Sequence, residues 1–416
     1  MYAHGEIHNE TIRLLRLSTG PEKNGLYFGI LVFRRQTAPA YLALSYTWGD
    51  QTATESIYLD NEHFPIRPNL KRALESVVSL MRRNFMNGIN VESTSHDDVP
   101  ATYEHLWVDA LCIDQTNVPE RNDQVRRMGD TFFMAGAVFS WLGGRDHTTL
   151  ASSDRCEVAR ILENTHGNWV RLAEWTKAQN ELIFDLLHDS YWSRSWTVQE
   201  YMLGHNNIII SPDLCINAED FARIFAVWKA IFTKATPAAV FLSMKERPFP
   251  TLGQVLYNYG HCDCLDPRDR IFSMLSIAHA GQVMPLRQYL PNYALSYDEV
   301  LVVTLATLLG SELESFARLD DVKPLLSRWS LSWDSTCDTA RAFAELCPSR
   351  SHVEKYGQQV DQGDGKPYLQ SLMEYWSKDH IVSTELTRTM IATAAEQAQR
   401  CKLEGTRFND LYNRLH

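Results

Sequence analysis

Short β-rich runs alternate with segments of helical periodicity through the first 215 residues of the chain. This alternation is typical of a β-sheet whose faces are covered by helices. Tyr41–Tyr46 is the clearest predicted strand, and Leu106–Ile113 and Ala137–Leu142 are predicted as two further buried strands. A helical segment from Glu120 to Ala135 separates the last two, so this strand–helix–strand order predicts a parallel crossover.

The remaining elements of this part are predicted from periodicity and turn residues. Asn61-Glu62 between two β-rich runs indicates a small hairpin, and Asn69 caps a helix that continues to about Phe85. The other predicted strands are Thr11–Ser18, Tyr27–Arg34, Ser56–Asp60, His63–Ile66 and Asn206–Ser211. A helix is predicted at Asn168–His188, and the segment Tyr191–Glu200 is predicted to begin a further helix.

Beyond Pro212 the sequence becomes mainly helical. Because a single core stops growing at about 250–300 residues, a chain of 416 residues is expected to form two domains. We place the division near residue 215, with an α/β domain at 1–215 and a mainly α-helical domain at 216–416. The predicted helices of the second part are Phe221–Phe232, Thr251–Tyr259, Pro267–Ala278, Ser296–Leu309 and Gln370–Arg400.

Charge and hydropathy exclude several classes of partner. The formal net charge is −11, from 51 acidic and 40 basic residues, and no basic stripe offsets it, so a nucleic-acid backbone is not an expected partner. The longest apolar stretch, Val300–Leu309, is about half the ~20 residues that span a bilayer. No membrane span is therefore expected.

The amino terminus and the cysteines indicate a cytoplasmic protein. Residues Met1–Glu10 are polar and lack the apolar core of a signal peptide, so the eight cysteines are expected to be reduced thiols. The one local cluster, His261-Cys262-Asp263-Cys264, lacks the spacing and the second ligand pair of a zinc site. We expect no bound metal.

Two polar side chains lie in apolar surroundings and invite a chemical interpretation. Asp109 falls inside a predicted apolar strand, where an ionised carboxylate needs donors, which Arg121, Arg194 or a backbone turn could supply. Either a functional site or a structural network explains it. Cys112 would need a histidine as base, and His105 is its one neighbour in sequence, so a buried structural thiol is the favoured interpretation.

Common catalytic motifs are missing from the sequence. It contains no G-x-G-x-x-G, no G-x-x-x-x-G-K-[ST], no G-x-S-x-G and no H-E-x-x-H. Dinucleotide-dependent redox chemistry, P-loop phosphoryl transfer and serine hydrolysis therefore have no sequence support.

Three ordered segments carry a family resemblance: Ala43–Asp50, Leu106–Gly143 and Arg194–Glu200. The middle segment is the most specific, since Trp107, Asp109, Gln115 and Trp141 all fall in register. By these segments the chain resembles the fungal heterokaryon-incompatibility (HET) domain family. The chain departs from the family at Asp114, where Asn is more frequent, and near Asn117, where an Asp is usual.

HET domains are similar to TIR domains, and this chain shows the likeness. Ser45 and Tyr46 end a strand before a polar loop with Asp50, and Trp196 and Glu200 repeat the spacing of the TIR Ser-x-Trp-Cys-x-x-Glu helix. The resemblance implies a TIR-like or flavodoxin-like, mostly parallel sheet flanked by helices. It also implies that Glu200 cleaves the nicotinamide–ribose bond of NAD, which would be a substrate and not a cofactor.

The chemistry makes this role for Glu200 reasonable. Cleaving an N-glycosidic bond with a cationic leaving group passes through an oxocarbenium-like state, which a carboxylate beside the ribose stabilises. Trp196 and Glu200 are four residues apart and share a helix face, and the pocket is expected at the carboxyl ends of the strands. The residues predicted to bind substrate are Ser45, Tyr46, Trp48, Gly49, Asp50, Asp109, Gln115, Arg121, Arg194 and Trp196.

Structural interpretations of the same residues stay open. Glu200 could pair with Arg194 or Arg121, or could be a carboxylate at a helix start. The three tryptophans Trp48, Trp107 and Trp141 are more often core residues, with Trp48 the best candidate for ligand contact. Arg121 and Arg194 could hold a pyrophosphate or pair with carboxylates.

Three functions compete at this point. The leading hypothesis is a HET effector of programmed cell death that binds, and cleaves, NAD or a related nucleotide. The second is a non-enzymatic signalling module that self-associates or docks on a separate receptor or sensor protein. The third is a scaffold recruited for other small-molecule chemistry, such as a step in secondary metabolism.

Overall fold

The computed structural model describes residues 10–21, 25–49, 52–82, 103–143, 177–212, 214–231, 236–244 and 252–278, with scattered positions near the amino terminus and between 283 and 304. Asp50 and the helix predicted at Gln370–Arg400 lie outside the described residues, as does most of the helix predicted at Ser296–Leu309. Two compact units divide the chain between Glu246 and Arg247.

The first unit is built on a mixed sheet. Its described strands are numbered β1 to β9 along the chain, and their spatial order is β5-β4-β2-β1-β6-β3-β7-β8-β9. The strands are β1 Thr11–Ser18, β2 Tyr27–Arg34, β3 Tyr41–Ser45, β4 Glu55–Leu59, β5 Glu62–Ile66, β6 His105–Trp107, β7 Ala137–Trp141, β8 Asn207–Ile210 and β9 Cys215–Asn217.

Four neighbouring strands at the centre of the sheet run parallel. β3 pairs in parallel with β6 on one side and with β7 on the other, and β7 pairs in parallel with β8. This confirms the predicted parallel crossover. Numbered along the chain, the four strands have the spatial order 2-1-3-4, so the order reverses between β3 and β7. In open α/β sheets, ligands bind outside the carboxyl ends of the strands at such a reversal.

The sheet is less parallel than predicted because antiparallel strands extend both sides of the parallel centre. β1 is antiparallel to β6 and β2, and β9 is antiparallel to β8. The predicted hairpin between β4 and β5 is confirmed. Asp60 and Asn61 have φ values of 49° and 66° at its turn, the left-handed backbone that two-residue hairpin loops require and that Asn and Asp tolerate.

Helices accompany the strands of the first unit and continue beyond them. The helix Ala218–Ile231 (α7) lies on β8 and β9, and the helix Ser195–Leu203 (α6) packs on β3 and β7. The helices are α1 Pro68–Arg82, α2 Asp109–Cys112, α3 Val118–Arg126, α4 Met128–Met134, α5 Lys177–Leu187, α6 Ser195–Leu203, α7 Ala218–Ile231, α8 Ala238–Met244, α9 Leu252–Tyr259 and α10 Asp269–Phe272. None of the described helices is long and apolar enough to span a bilayer.

Three predictions of secondary structure are corrected. The strand predicted at Leu106–Ile113 is only β6, because after Val108 the backbone turns into α2. The helix predicted from Glu120 to Ala135 is two helices that meet at Arg127, whose ψ of 4° interrupts the helical geometry. The helix predicted at Pro267–Ala278 is limited to α10.

The first unit continues past residue 215. β9 pairs with β8, and α7 packs on both strands, so residues 215–231 belong to the sheet side of the molecule. As a boundary between independent domains, the division near residue 215 stays a prediction.

A buried ion pair connects β1 to the first turn of α3. The guanidinium of Arg13, which is 1% exposed, contacts both carboxylate oxygens of Glu120, with Nη2 to Oε2 at 3.0 Å. Arg13 also donates to the carbonyl of Cys112, and the backbone N–H of Asp114 donates to Glu120. The pair therefore holds the segment between Cys112 and Glu120 against the sheet.

We predict that Glu120→Ala lowers the free energy of unfolding by about 3–5 kcal/mol, because it leaves the Arg13 cation buried without a counter-charge. Urea unfolding of the full chain measures this loss. The matched control is Glu55→Ala, which breaks the Lys71–Glu55 pair, whose side chains are 33% and 38% exposed. That change is expected to cost less than about 1 kcal/mol. Equal losses in both variants would contradict the prediction.

Candidate functional site

Glu200 is held at the carboxyl end of the parallel strands by a hydrogen bond. Ser45, the last residue of β3, lies in register with Ser140 of β7, where the strand order reverses. The Ser45 hydroxyl donates to Oε2 of Glu200 at 2.5 Å. Glu200 lies in α6, which packs on these two strands, and its side chain is buried. Residues 155 positions apart in sequence thus meet at the reversal point.

A chain of hydroxyl groups continues from this contact into the protein. The Tyr191 hydroxyl lies 2.9 Å from Ser45 Oγ and donates to Ser140 Oγ, also at 2.9 Å. Ser45, Ser140 and Tyr191 are all fully buried, and burial raises the pKa of the Tyr191 phenol. The carboxyl of Glu200 therefore has polar neighbours on its inner side.

Burial governs the charge of Glu200. Loss of hydration has the largest effect on the pKa of its carboxyl and raises it, as does the nearby Asp109, whereas Arg194 and the Ser45 hydroxyl lower it. The resulting pKa is about 8. Glu200 makes no ion pair among the described residues, so neither of the pairs considered from the sequence, with Arg194 or with Arg121, is formed. At neutral pH the neutral carboxyl is the main form.

Asp109 is the second acidic residue of the site, and its position differs from the one predicted. It is the first residue of α2, directly after β6, and not the middle of an apolar strand. Its carboxylate accepts from the Trp48 indole N–H at 2.8 Å and from the Ala110 backbone N–H at 2.7 Å. Burial raises its pKa, against the opposing effects of Arg194 and of hydrogen bonds from Trp48, Ala110 and Tyr46.

Arg194 influences both acidic residues of the site. It lies just before α6, and its Nη1 donates to the carbonyl of Tyr46 at 2.5 Å. Its guanidinium also lies 5.7 Å from the centroid of the Trp48 ring. Because its charge lowers the pKa of both Asp109 and Glu200, Arg194 is the cation of this site.

The structure places the remaining predicted residues as follows. Gln115 donates its side-chain N–H to the backbone carbonyl of Asp109 at 3.1 Å, and Trp196 is 9% exposed. Gly49 is exposed with φ of 68°. Arg121 lies half-buried in α3 and interacts with neither the Asp109 nor the Glu200 carboxyl. The site is thus not assembled around Arg121.

Two other sequence interpretations concern core residues. Trp107 and Trp141 are both 1% exposed, and the Trp141 indole donates to Asn69, so they belong to the core. Burial raises the pKa of the Cys112 thiol to about 12, which keeps it protonated and favours the structural interpretation. Among the described residues, no group of three or more His, Cys, Asp or Glu side chains could hold a metal ion.

Sequence reasoning missed four residues of this region. Tyr191 and Ser140 complete the hydroxyl chain, and Asn69 donates to both the carbonyl and the hydroxyl of Thr47, which fixes the end of β3. Arg67 approaches Trp48 to 5.3 Å. The register of β3 and β7 would have indicated Ser140, but nothing in the local sequence indicates the other three.

The comparisons with known proteins found two sequence similarities. Residues 41–200 match the family model described as "Heterokaryon incompatibility protein (HET)". The chain is also 25% identical to "Heterokaryon incompatibility protein 6, OR allele" of Neurospora crassa, over 70% of this chain and 50% of that protein. The chain thus spans about half the length of this relative. No solved structure matches the chain.

The fold defines the class of protein. It is an α/β domain that brings three separated sequence segments together at the carboxyl ends of its parallel strands. The segment 41–200 is similar in sequence to the heterokaryon incompatibility (HET) family. This segment begins with β3 and ends at Glu200, so it includes every residue of the Ser45, Asp109 and Arg194 contacts described above.

The raised pKa of Glu200 predicts a pH-dependent difference in stability. Because the folded pKa of about 8 lies above the unfolded value of 4.5, ionisation favours unfolding, and stability falls as the pH rises between these values. Glu200→Gln keeps the shape and cannot ionise. We expect the variant to gain on the order of 2 kcal/mol relative to the wild type between pH 5 and pH 9.

Urea unfolding at several pH values measures this gain. The matched control is Glu10→Gln, which alters an exposed carboxylate and should give no comparable gain. A constant difference between Glu200→Gln and the wild type would show that the Glu200 carboxyl is hydrated in the folded state.

Proposed function

We propose that the chain acts in heterokaryon incompatibility, as an effector whose α/β module binds NAD or a related nucleotide and cleaves its N-glycosidic bond. The printed name of the Neurospora crassa relative and the HET family model support the first part. The observation that carries the second part is the Ser45–Glu200 hydrogen bond, which fixes a carboxyl group where the strand order reverses.

The strand order supports a nucleotide ligand. The order 2-1-3-4 of the parallel strands is the one found in flavodoxin-like sheets, whose ligand lies at the reversal. On this proposal the module is TIR-like, with Trp196 and Glu200 on one face of α6. The partly exposed Trp48, Asp109 and Arg194 form the outer layer of the site, and Glu200 forms the inner layer.

The proposed reaction converts NAD⁺ and water into nicotinamide, ADP-ribose and a proton. The bond from ribose C1′ to the nicotinamide nitrogen breaks, its electron pair leaves with neutral nicotinamide, and water adds to C1′. Ionised Glu200 stabilises the positive charge that develops on the ribose. Because Glu200 is buried, binding of the ribose requires the side chains of the outer layer to move apart.

We predict that the purified full chain releases nicotinamide from NAD and that Glu200→Gln reduces the rate at least about 100-fold, as the loss of one transition-state charge contact usually does. In the wild type, kcat/KM should rise with pH towards about 8, because only the ionised carboxyl is active. Chromatographic detection of nicotinamide measures both the reduced rate of Glu200→Gln and the pH dependence of the wild type.

The exposed variant Glu104→Gln should keep the wild-type rate, and thermal unfolding should show that both variants are folded. If the wild type at high protein concentration releases no nicotinamide, the proposed cleavage is wrong.

A specific observation favours a second function. The carboxyl of Glu200 is buried, hydrogen-bonded and mainly neutral at pH 7, as expected of a packing residue in a non-enzymatic signalling module. In this case the three segments stabilise a surface that self-associates or docks on a separate receptor protein. A cytoplasmic location stays a prediction under both functions.

Cell death on expression distinguishes the two functions. If the chain cleaves NAD, induced expression in a fungal host kills cells, and Glu200→Gln abolishes the killing because the developing cation is no longer stabilised. Colony counts after induction, with equal protein levels checked by immunoblot, measure it. Killing by Glu200→Gln at the wild-type level would favour the signalling module instead.

A further inference from the structure

Two arginines that are distant in sequence meet at one tryptophan. The guanidinium carbons of Arg67 and Arg194 lie 5.3 Å and 5.7 Å from the centroid of the Trp48 ring, within the range of cation–π attraction. Each donates one further hydrogen bond to a backbone carbonyl, Arg67 to Gly49 at 2.9 Å and Arg194 to Tyr46 at 2.5 Å. Trp48 and the adjacent backbone therefore fix the positions of both guanidinium groups.

Within the part of the chain that the structure describes, Arg67 and Arg194 make no ion pair with a carboxylate. A guanidinium has five N–H donors, and the described hydrogen bonds use one donor of each. In a chain of net charge −11, two fixed and unpaired positive charges at one partly exposed position form a local binding surface for an anion.

The backbone beside the two arginines is open. Gly49 is exposed, and apart from its chain neighbours no heavy atom of the described residues lies within 4 Å of the position that a Cβ would occupy there. Its φ of 68° is the left-handed conformation that glycine adopts without steric cost. Among the described residues, no side chain beyond the chain neighbours of Gly49 therefore blocks an approach to its main chain.

We propose that Arg67 and Arg194 bind the diphosphate of a nucleotide, with Trp48 as the platform that holds their guanidinium groups. A diphosphate is the anion that suits two neighbouring guanidinium groups, because its two phosphates are joined by one oxygen and each accepts bidentate hydrogen bonds. The assignment rests on the proposed function, which it deepens. It assigns a ligand-binding role to Arg67, which lies outside the three sequence segments. It assigns no such role to Arg121.

The test is calorimetric titration of the full chain with two probes, inorganic pyrophosphate and ADP-ribose. We expect both to bind the wild type, more weakly as the salt concentration rises. Arg67→Gln should weaken both at least about 10-fold, because it removes one charged partner of the anion. Arg67→Lys keeps the charge but loses the fork of donors, so its affinity should fall between those of the wild type and Arg67→Gln.

The matched control is Arg82→Gln. Arg82 is exposed at the far end of α1, which begins at Pro68, roughly 20 Å away at 1.5 Å per residue. It removes the same charge, so its affinity for pyrophosphate should stay within about twofold of the wild type. Equal affinities of the Arg67→Gln and Arg82→Gln variants, or no binding of either probe to the wild type at low salt, would overturn the proposal.

Nicotinamide release separates this proposal from the proposed function. Pyrophosphate binding that depends on Arg67, in a protein that releases no nicotinamide, would support the anion site and refute the cleavage. Nicotinamide release at the same kcat/KM by wild type and Arg67→Gln would support the cleavage and refute the anion site.

Discussion

The burial of one carboxyl group connects the fold of this chain to its chemistry. Glu200 projects from α6 onto the end of β3, where the Ser45 hydroxyl donates to it and the Tyr191 and Ser140 hydroxyls continue the polar chain inward. Without these donors, the desolvated carboxyl would destabilise the contact between α6 and the sheet by several kcal/mol. The hydrogen-bonded serine at the end of β3 is therefore a condition for placing a carboxyl at the strand reversal.

The same contacts separate an inner and an outer layer of the site. Ser45, Tyr191 and Glu200 are buried, whereas Trp48, Asp109 and Arg194 are partly exposed and provide the charged groups and the aromatic ring. Arg194 affects both layers, because it contacts Tyr46 and Trp48 and lowers the pKa of Glu200 and Asp109. A substitution at Arg194 would therefore alter binding and ionisation together.

Local pattern predicted the elements whose structure is decided locally. The bounds of β1 and β2 were predicted correctly, and so was the hairpin at Asn61, where turn chemistry dictates the backbone. The strand at Leu106–Ile113 was predicted wrongly, because its apolar residues are buried by tertiary packing while the backbone after Val108 turns into α2. The roles of Tyr191 and Arg67 depend on contacts across the sheet, which no local spacing indicates.

The charge of the proposed ligand resolves the apparent conflict between a mainly neutral Glu200 and its proposed role. NAD carries a positive charge on its nicotinamide ring, and a cation close to a desolvated carboxyl lowers its pKa, as Arg194 already does. Binding would therefore favour the carboxylate, because the ligand adds a positive charge to that of Arg194. Desolvation of Glu200 costs stability in the free protein, and a bound cation offsets part of this cost.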